Sequence, residues 1–217
     1  PQDWVTAVTR VEAIIQLAIT FTDDAGAVEQ KMFTALTQTL AAAKSKIRLI
    51  NTGCVWLYGA TGDNPADDSA AAGTPFHPIA DFAWADNNGK ALLASPQFST
   101  AIIHMAMVYH QTGSAFAWYI ARAQDYSPIE IWSSGATRWP LVHRDDLAVA
   151  DQLLMEQPTL TGHFNASPEI GVRADVIAAA IAKRYQSPTG SIILPAANVL
   201  KKYGPWAVGP MLDQQMM

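Results

Sequence analysis

No glycine-rich phosphate-binding loop occurs anywhere in the 217 residues, which removes the usual backbone cradle for a nucleotide diphosphate. Cysteine is reduced to one residue, Cys54. No internal disulfide can form, and no Cys/His spacing suited to a metal is present. Charged residues are only 15%, and the basic ones are scattered, the longest run being Lys201-Lys202. With a net charge of −5, that distribution argues against a nucleic-acid partner. The longest clean apolar runs are about eight residues, against the roughly 20 that a spanning helix needs. No membrane partner is expected. A signal-peptide pattern is lacking at the start, so a cytoplasmic protein is the expectation. The chain opens on Pro1 rather than Met, which implies either a processed start or preceding residues.

Half of the residues are hydrophobic, enough for one sizeable core, and the length suits one domain or one domain with a small lobe. Strand and helix patterns alternate. Ala13 to Thr20 is a short apolar, β-branched run, as in a strand buried on both faces. Asp23 and Asp24 offer caps for a helix from about Ala25 to Ala43, with Val28, Met32, Ala35, Leu36 and Leu40 at helical spacing. Lys44 and Lys46 suit the negative end of its dipole. Ile47 to Leu57 reads as a second strand, and Ala60 to Pro78 as a loop. Asp81 to Ala94 reads as a helix, Ser99 to Tyr109 as a third strand, and Ser114 to Gln124 as a helix. Further helices are expected at Asp145 to Gln157, capped by Asp145, and at Ala174 to Tyr185.

That alternation means an α/β fold, a parallel sheet with crossover helices. In such sheets ligands sit beyond the carboxyl ends of the strands. Those ends are Leu17 to Thr20, Thr52 to Tyr58 and Val108 to Gly113.

Read in order, these ends resemble the extended or atypical short-chain dehydrogenase/reductase family, in its epimerase and dehydratase branch. VEAIIQLAITF is similar to the family's strand "DAVIHLA", and INTGCVWLYGATG to "TSGVWVYG". MVYHQTGS resembles its "VYG" or "VHG" strand end. The most specific match is RWPxVHRxD, Arg138 to Asp146, which resembles a segment of the family's substrate-side lobe. The resemblance implies a Rossmann-like parallel sheet with a small C-terminal substrate lobe. Residues 1–112 would be its core from the fourth strand onward. Residues 113–217 would supply the remaining core helices and the lobe. It also implies NAD or NADP, with Leu17, Ala18, Ile19, Thr52 and Val108 beside the cofactor. A small-molecule substrate follows, and the helix from Ala25 suggests a homodimer, since such helices pair subunits in the family.

The sequence departs from the family on each chemical point. The glycine-rich loop would have to precede Pro1 for NAD(P) to be held; otherwise no cofactor is expected. The first three strands are missing, which leaves one edge of the sheet to be covered. The family's Tyr-x-x-x-Lys pair, its general acid/base and the lysine that tunes it, is absent. The Tyr is expected near Ile79 to Phe82. Tyr58, Tyr109, Tyr119, Tyr126, Tyr185 and Tyr203 all lack a Lys four positions on, and Lys90 has Asp86 at the Tyr spacing.

Catalytic candidates are therefore Thr52 and Cys54, which share one face of a strand, together with Tyr109 and His110 at the next strand end. Cys54 has no base beside it in sequence, and a small buried Cys is the plainer reading. Trp56 and His143 are substrate-binding candidates. Arg138 either pairs a substrate carboxylate or phosphate or pairs Asp146 and orients the lobe. His104 reads as a core or interface residue, His163 as a turn residue without signal, and His77 as an exposed loop residue with a lid as the alternative. Six of the seven tryptophans, Trp56, Trp84, Trp118, Trp132, Trp139 and Trp206, are either core or the wall of an apolar pocket. Three functions remain open: an NAD(P)-dependent oxidoreductase or epimerase on a small carbonyl or hydroxyl substrate, a cofactor-free isomerase, lyase or cyclase, and a non-catalytic ligand-binding protein.

Overall fold

A computed structural model describes residues 5–20, 22–43, 45–68, 78–111 and 115–217. The fold is mixed α/β with a Rossmann-like parallel sheet. Four strands form that sheet: β1 (Ala13–Gln16), β2 (Ile47–Cys54), β3 (Phe98–Met105) and β7 (Gly162–Ala166), in spatial order β1-β2-β3-β7 and parallel throughout. Among the described residues β1 pairs with β2 alone, and Leu17 beyond it is 63% exposed.

Helices cover both faces of the sheet, as an apolar parallel sheet requires. On one side lie α1 (Ala25–Thr39) and α2 (Ala83–Ala94), whose Phe33, Leu36 and Leu92 pack with Leu49 and Phe98. On the other lies α4 (Arg144–Glu156), which packs Leu147, Ala150 and Leu154 against Ile50, Ala101 and Ile103. Buried Arg48 ties α4 to the sheet. Its Nε and Nη2 donate to the Leu154 carbonyl at 2.9 and 2.7 Å, in the last turn of the helix, where carbonyls lack a full intrahelical partner.

The remaining strands form two small sheets. In one, β4 (Met107–Tyr109) runs parallel to β6 (Arg138–His143), which pairs antiparallel with β8 (Glu169–Arg173). In the other, β5 (Ile129–Trp132) pairs with β9 (Ser191–Leu194). Around them pack α3 (Ala117–Gln124), α5 (Ala174–Arg184), α6 (Ala196–Tyr203) and the short α7 (Val208–Met211). Tyr119, Ile129, Trp139 and Ile177 centre this second core.

Several local expectations are corrected. The run Ser99 to Tyr109 is two strands in different sheets, split at Ala106, whose N–H donates to the Ala166 carbonyl. The first strand stops at Gln16, where the side chain turns back on Ala18, and the second passes at Val55 into a 3-10 turn ending at Tyr58. Asp24 sits at the N-cap of α1, but its carboxylate accepts from Thr22 Oγ1 at 2.7 Å and caps no helix N–H. That helix ends at Thr39 with no basic residue in its last turn. The cap of α4 is His143, whose Nδ1 accepts from the Asp145 N–H at 3.3 Å, so Asp145 lies inside the first turn. The sequence reading left β5 to β9 unassigned. No helix among the described residues is long and apolar enough to cross a membrane.

Candidate functional site

A cavity of about 320 Å³ opens at the carboxyl ends of β1 to β4. Of the residues singled out in sequence, Leu17, Ala18, Ile19, Thr52, Cys54, Trp56 and Val108 are in its wall. Much of the remainder is aromatic: Phe82, Trp84, Trp118 and Trp206. Two glycines allow this close lining. A Cβ at Gly209 would stand 2.6 Å from the Trp56 indole, and one at Gly26 would overlap Trp84. Trp56 meets Phe82 edge-on, centroids 5.1 Å apart, a favoured aromatic geometry.

Strand alternation divides the polar groups. Thr52 and Cys54 share one face of β2, Asn51 and Gly53 the other. Asn51 Oδ1, Thr52 Oγ1, Trp56 Nε1 and Trp118 Nε1 are buried with no hydrogen-bond partner among the described residues. All four belong to wall residues. An orphaned buried polar atom costs about 1–3 kcal/mol, so a ligand that supplied partners would recover that cost. Burial pushes the Cys54 thiol up to about 11, so at neutral pH it is a thiol and not a nucleophilic thiolate.

The titratable groups of the wall are Glu29, Asp86, His104 and His163, beside Cys54. Burial raises Glu29, against hydrogen bonds from Asn88 and Gln16 that lower it. Asp86 lies on the first turn of α2 and receives Lys90 Nζ at 2.7 Å, one turn on. His104 on β3 lies beside Gly53 on β2, where a Cβ would overlap the imidazole. His163 on β7 is its diagonal neighbour, since Ile102 pairs with His163 and His104 with Asn165. The two rings lie edge to edge in nearly parallel planes, 5.1 Å between centroids and 6° between planes, and His104 Nε2 and His163 Nδ1 share a hydrogen bond of 2.9 Å. Burial lowers both, His104 to about 3, with the His163 charge as a second cause.

Four sequence candidates lie outside the wall. Tyr109 stacks on Phe116 and meets His143 edge-on, and His110 lies 5.6 Å from the His143 ring centre. His143 caps α4. Arg138 pairs Asp213 and Asp63, not Asp146: its Nη2 reaches Asp213 Oδ2 at 2.6 Å and its Nη1 reaches Asp63 Oδ1 at 2.8 Å. His77 lies outside the described residues. In the other direction, sequence reasoning passed over His104, His163 and Asp86 as site residues. For Asp86 a signal existed, its four-residue spacing from Lys90; for the histidines there was none, because only the register of β3 and β7 brings them together.

The described residues do not fit a whole dinucleotide. A cavity of about 320 Å³ sits at the low end of the roughly 300–1,000 Å³ of small-molecule sites. Its charged side chains are the carboxylates of Glu29 and Asp86, with no Lys or Arg in the wall, the wrong sign for a diphosphate. The strand ends themselves suit the neutral end of a ligand. Among the described residues no group of three or more His, Cys, Asp or Glu is placed to hold a metal ion.

A parallel sheet with helices on both faces and a cavity at its carboxyl ends defines a Rossmann-type fold. The chain belongs to the NAD-dependent epimerase/dehydratase family, whose profile matches residues 3–167. Among solved structures it is similar to human epimerase family protein SDR39U1 (isoform 2) with NADPH. The identity is 15%, the TM-score 0.79, and the match covers 95% of this chain and 74% of that one. The Methanobrevibacter ruminantium M1 UDP-N-acetylglucosamine 4-epimerase, in complex with UDP-N-acetylmuramic acid, matches at 13% identity and TM-score 0.71, over 88% of this chain and 66% of that one. The Streptomyces venezuelae dTDP-glucose 4,6-dehydratase DesIV, with NAD and TYD bound, matches at 14% and 0.67, over 94% and 71%. At these identities the likeness is one of fold. No curated protein matches the sequence.

Proposed function

We propose that the cavity is an active site for a small, uncharged, ring-bearing carbonyl or hydroxyl compound, and that its chemistry is proton transfer, as in an epimerase or isomerase. The observation that carries this is Asp86, which stands in the wall and is held at 2.7 Å by Lys90 outside it, the two residues having the four-residue spacing of the family's Tyr and Lys. A carboxylate held by an ammonium is fixed in one orientation, and a positioned carboxylate is an effective general base. The aromatic wall excludes water and takes a ring. The orphaned donors of Trp56 and Trp118 and the hydroxyl of Thr52 offer partners for the substrate's oxygens. Asp86 removes the proton from the carbon beside the carbonyl. The C–H electron pair forms the enol double bond, and the negative charge moves to oxygen, where wall donors receive it.

A second reading is an NAD(P)-dependent oxidoreductase. It is supported by Leu17, Ala18, Ile19, Thr52 and Val108 lining the cavity at the strand ends, where the resemblance puts the cofactor.

Deuterium exchange separates the two. In D2O the protein should exchange the α-protons of 1-tetralone, an uncharged bicyclic ketone, and Asp86→Asn should slow that exchange at least tenfold. Saturable NADPH binding by the same chain, with no exchange of the ketone, would favour the second reading and reject the first.

A further inference from the structure

We infer that His163 is the electrophile of this site: a neutral imidazole whose Nε2–H hydrogen-bonds the substrate's carbonyl oxygen, with His104 as the positioning residue that fixes its tautomer. The inference rests on the proton-transfer reading above, and names the group that receives the charge which Asp86 creates.

The argument is geometric first. His163 and Asp86 stand in the wall of the same cavity, one on the sheet and one on α2. The His104–His163 hydrogen bond of 2.9 Å joins two ring nitrogens, so one ring donates and the other accepts. If His104 Nε2–H donates, His163 accepts at Nδ1 and carries its own proton on Nε2, across the ring. If His163 donates, its Nε2 is left as a lone pair.

The first arrangement alone offers a substrate oxygen a donor, and the charges near His163 favour it. Asp86 and Asp68 act on His163 with negative potential, and Lys90 opposes them. Asp86 and Lys90, paired at 2.7 Å, largely offset each other and leave Asp68. A net negative charge near the ring favours a protonated outer nitrogen over a lone pair there. The other neighbours agree with a fixed, uncharged pair. Tyr58 meets His104 edge-on at 5.4 Å, and its hydroxyl donates to Asn165 Oδ1 at 2.7 Å. The Asn165 N–H donates to Asp68 Oδ1 at 2.6 Å. The side chain absent at Gly53 gives His104 its place. Burial disfavours the imidazolium in both rings.

A neutral imidazole donor opposite a carboxylate base is an established physical solution for enolisation. The carboxylate takes the proton and the imidazole N–H stabilises the developing oxyanion. The imidazole N–H is a weak acid, close in strength to an enol, and so shares its proton effectively with that oxygen. The proton on Asp86 then returns to carbon, and no oxidant or reductant is needed.

The test uses the whole chain labelled with 15N-histidine, and 1-tetralone as the probe. Long-range 1H–15N spectra at pH 7 should show His163 as the neutral Nε2–H tautomer, and saturating ketone should shift its ring nitrogens. His163→Phe should slow deuterium exchange at least tenfold, with partial rescue in His163→Gln, which keeps an N–H donor. His104→Phe should change the pH profile of exchange more than ketone binding. An Nδ1–H or protonated His163 at pH 7, or ring nitrogens unmoved by the ketone, would overturn the inference. If that result came with exchange still abolished by Asp86→Asn, the proton-transfer reading would stand without it. If wild-type protein exchanged no ketone while the tautomer and the shift were as expected, the proton-transfer reading would fail, and His163 would remain the group that holds the carbonyl.

Discussion

Arg138 holds Asp213 through three contacts: the backbone N–H and Nε both reach Asp213 Oδ1, at 2.8 and 2.9 Å, and Nη2 reaches Oδ2 at 2.6 Å. They lie 75 residues apart in sequence, so the pair fastens the segment before the last strand-like bridge onto β6. The next residues depend on it. Gln214 Nε2 donates to the carbonyls of Val55 and Gly59, and the Gln215 N–H donates to Thr61 Oγ1. The Arg138 hydrogen bonds hold Asp213 below the usual carboxylate range. A lowered carboxylate contributes stability above its unfolded value, near pH 4, and loses it as pH falls through the folded value. Asp213→Asn should lower the melting temperature at pH 7 and flatten its fall below pH 4, as differential scanning calorimetry would read. An unchanged acid limb would contradict the assignment.

Burial sets the acid sensitivity of His104 in the same way, with the opposite group chemistry. Its folded value is about 3, against about 6.5 in an unfolded chain. Between those values the unfolded state binds the extra proton, so stability falls as pH drops through that window. The slope is about 1.4 kcal/mol per pH unit for one proton. Urea unfolding from pH 7 to pH 4 should show it, and His104→Phe should remove most of it. A slope equal in the variant would place the titrating group elsewhere.

Gly53→Ala is expected to destabilise the fold by about 1–3 kcal/mol, the range for overpacking a close-packed site. The added methyl would overlap His104 and push it from His163. Chemical denaturation gives the energy. The 15N-histidine spectrum should show the pair disturbed, and an intact pair at full stability would mean the backbone yields instead.

Cys54 should alkylate slowly. With its thiol pushed up to about 11, against about 8.5 for a free cysteine, the thiolate fraction at pH 8 falls on the order of 100-fold. Iodoacetamide labelling followed by mass spectrometry would measure this. Modification at the rate of a free thiol would restore Cys54 as a candidate nucleophile.

Much of the frame was legible because it is local. The strand expected from Ile47 and the helices expected from Ala25 and Asp145 became elements close to those expected. Strand ends named in sequence, from Leu17 to Ile19, at Thr52 and at Val108, do line the cavity. What was hidden depends on pairing across long separations. Ser99 to Tyr109 is apolar on both sides of Ala106, so nothing in its pattern marks that residue as the change of sheet. The strands β8 and β9 are short and largely exposed, without a buried-strand signature, and β5, though buried, is only four residues long and carries Glu130 in its middle. Asp86 has a tyrosine's spacing from Lys90 but not a tyrosine's chemistry, so residue type hides it. The partner of Arg138 comes from a loop whose position no short-range rule supplies.

Passage from the main sheet to the second sheet rests on one residue, Ala106, between Met105 and Met107. Strand side chains alternate, so a single inserted or deleted residue there would turn β4 over. Tyr109 would exchange its place in the second core for the place of Val108 in the cavity wall. The bore and polarity of the pocket are thus set by arithmetic along the chain as much as by composition. A one-codon length change at this step would recut the ligand space without a substitution anywhere else in the chain.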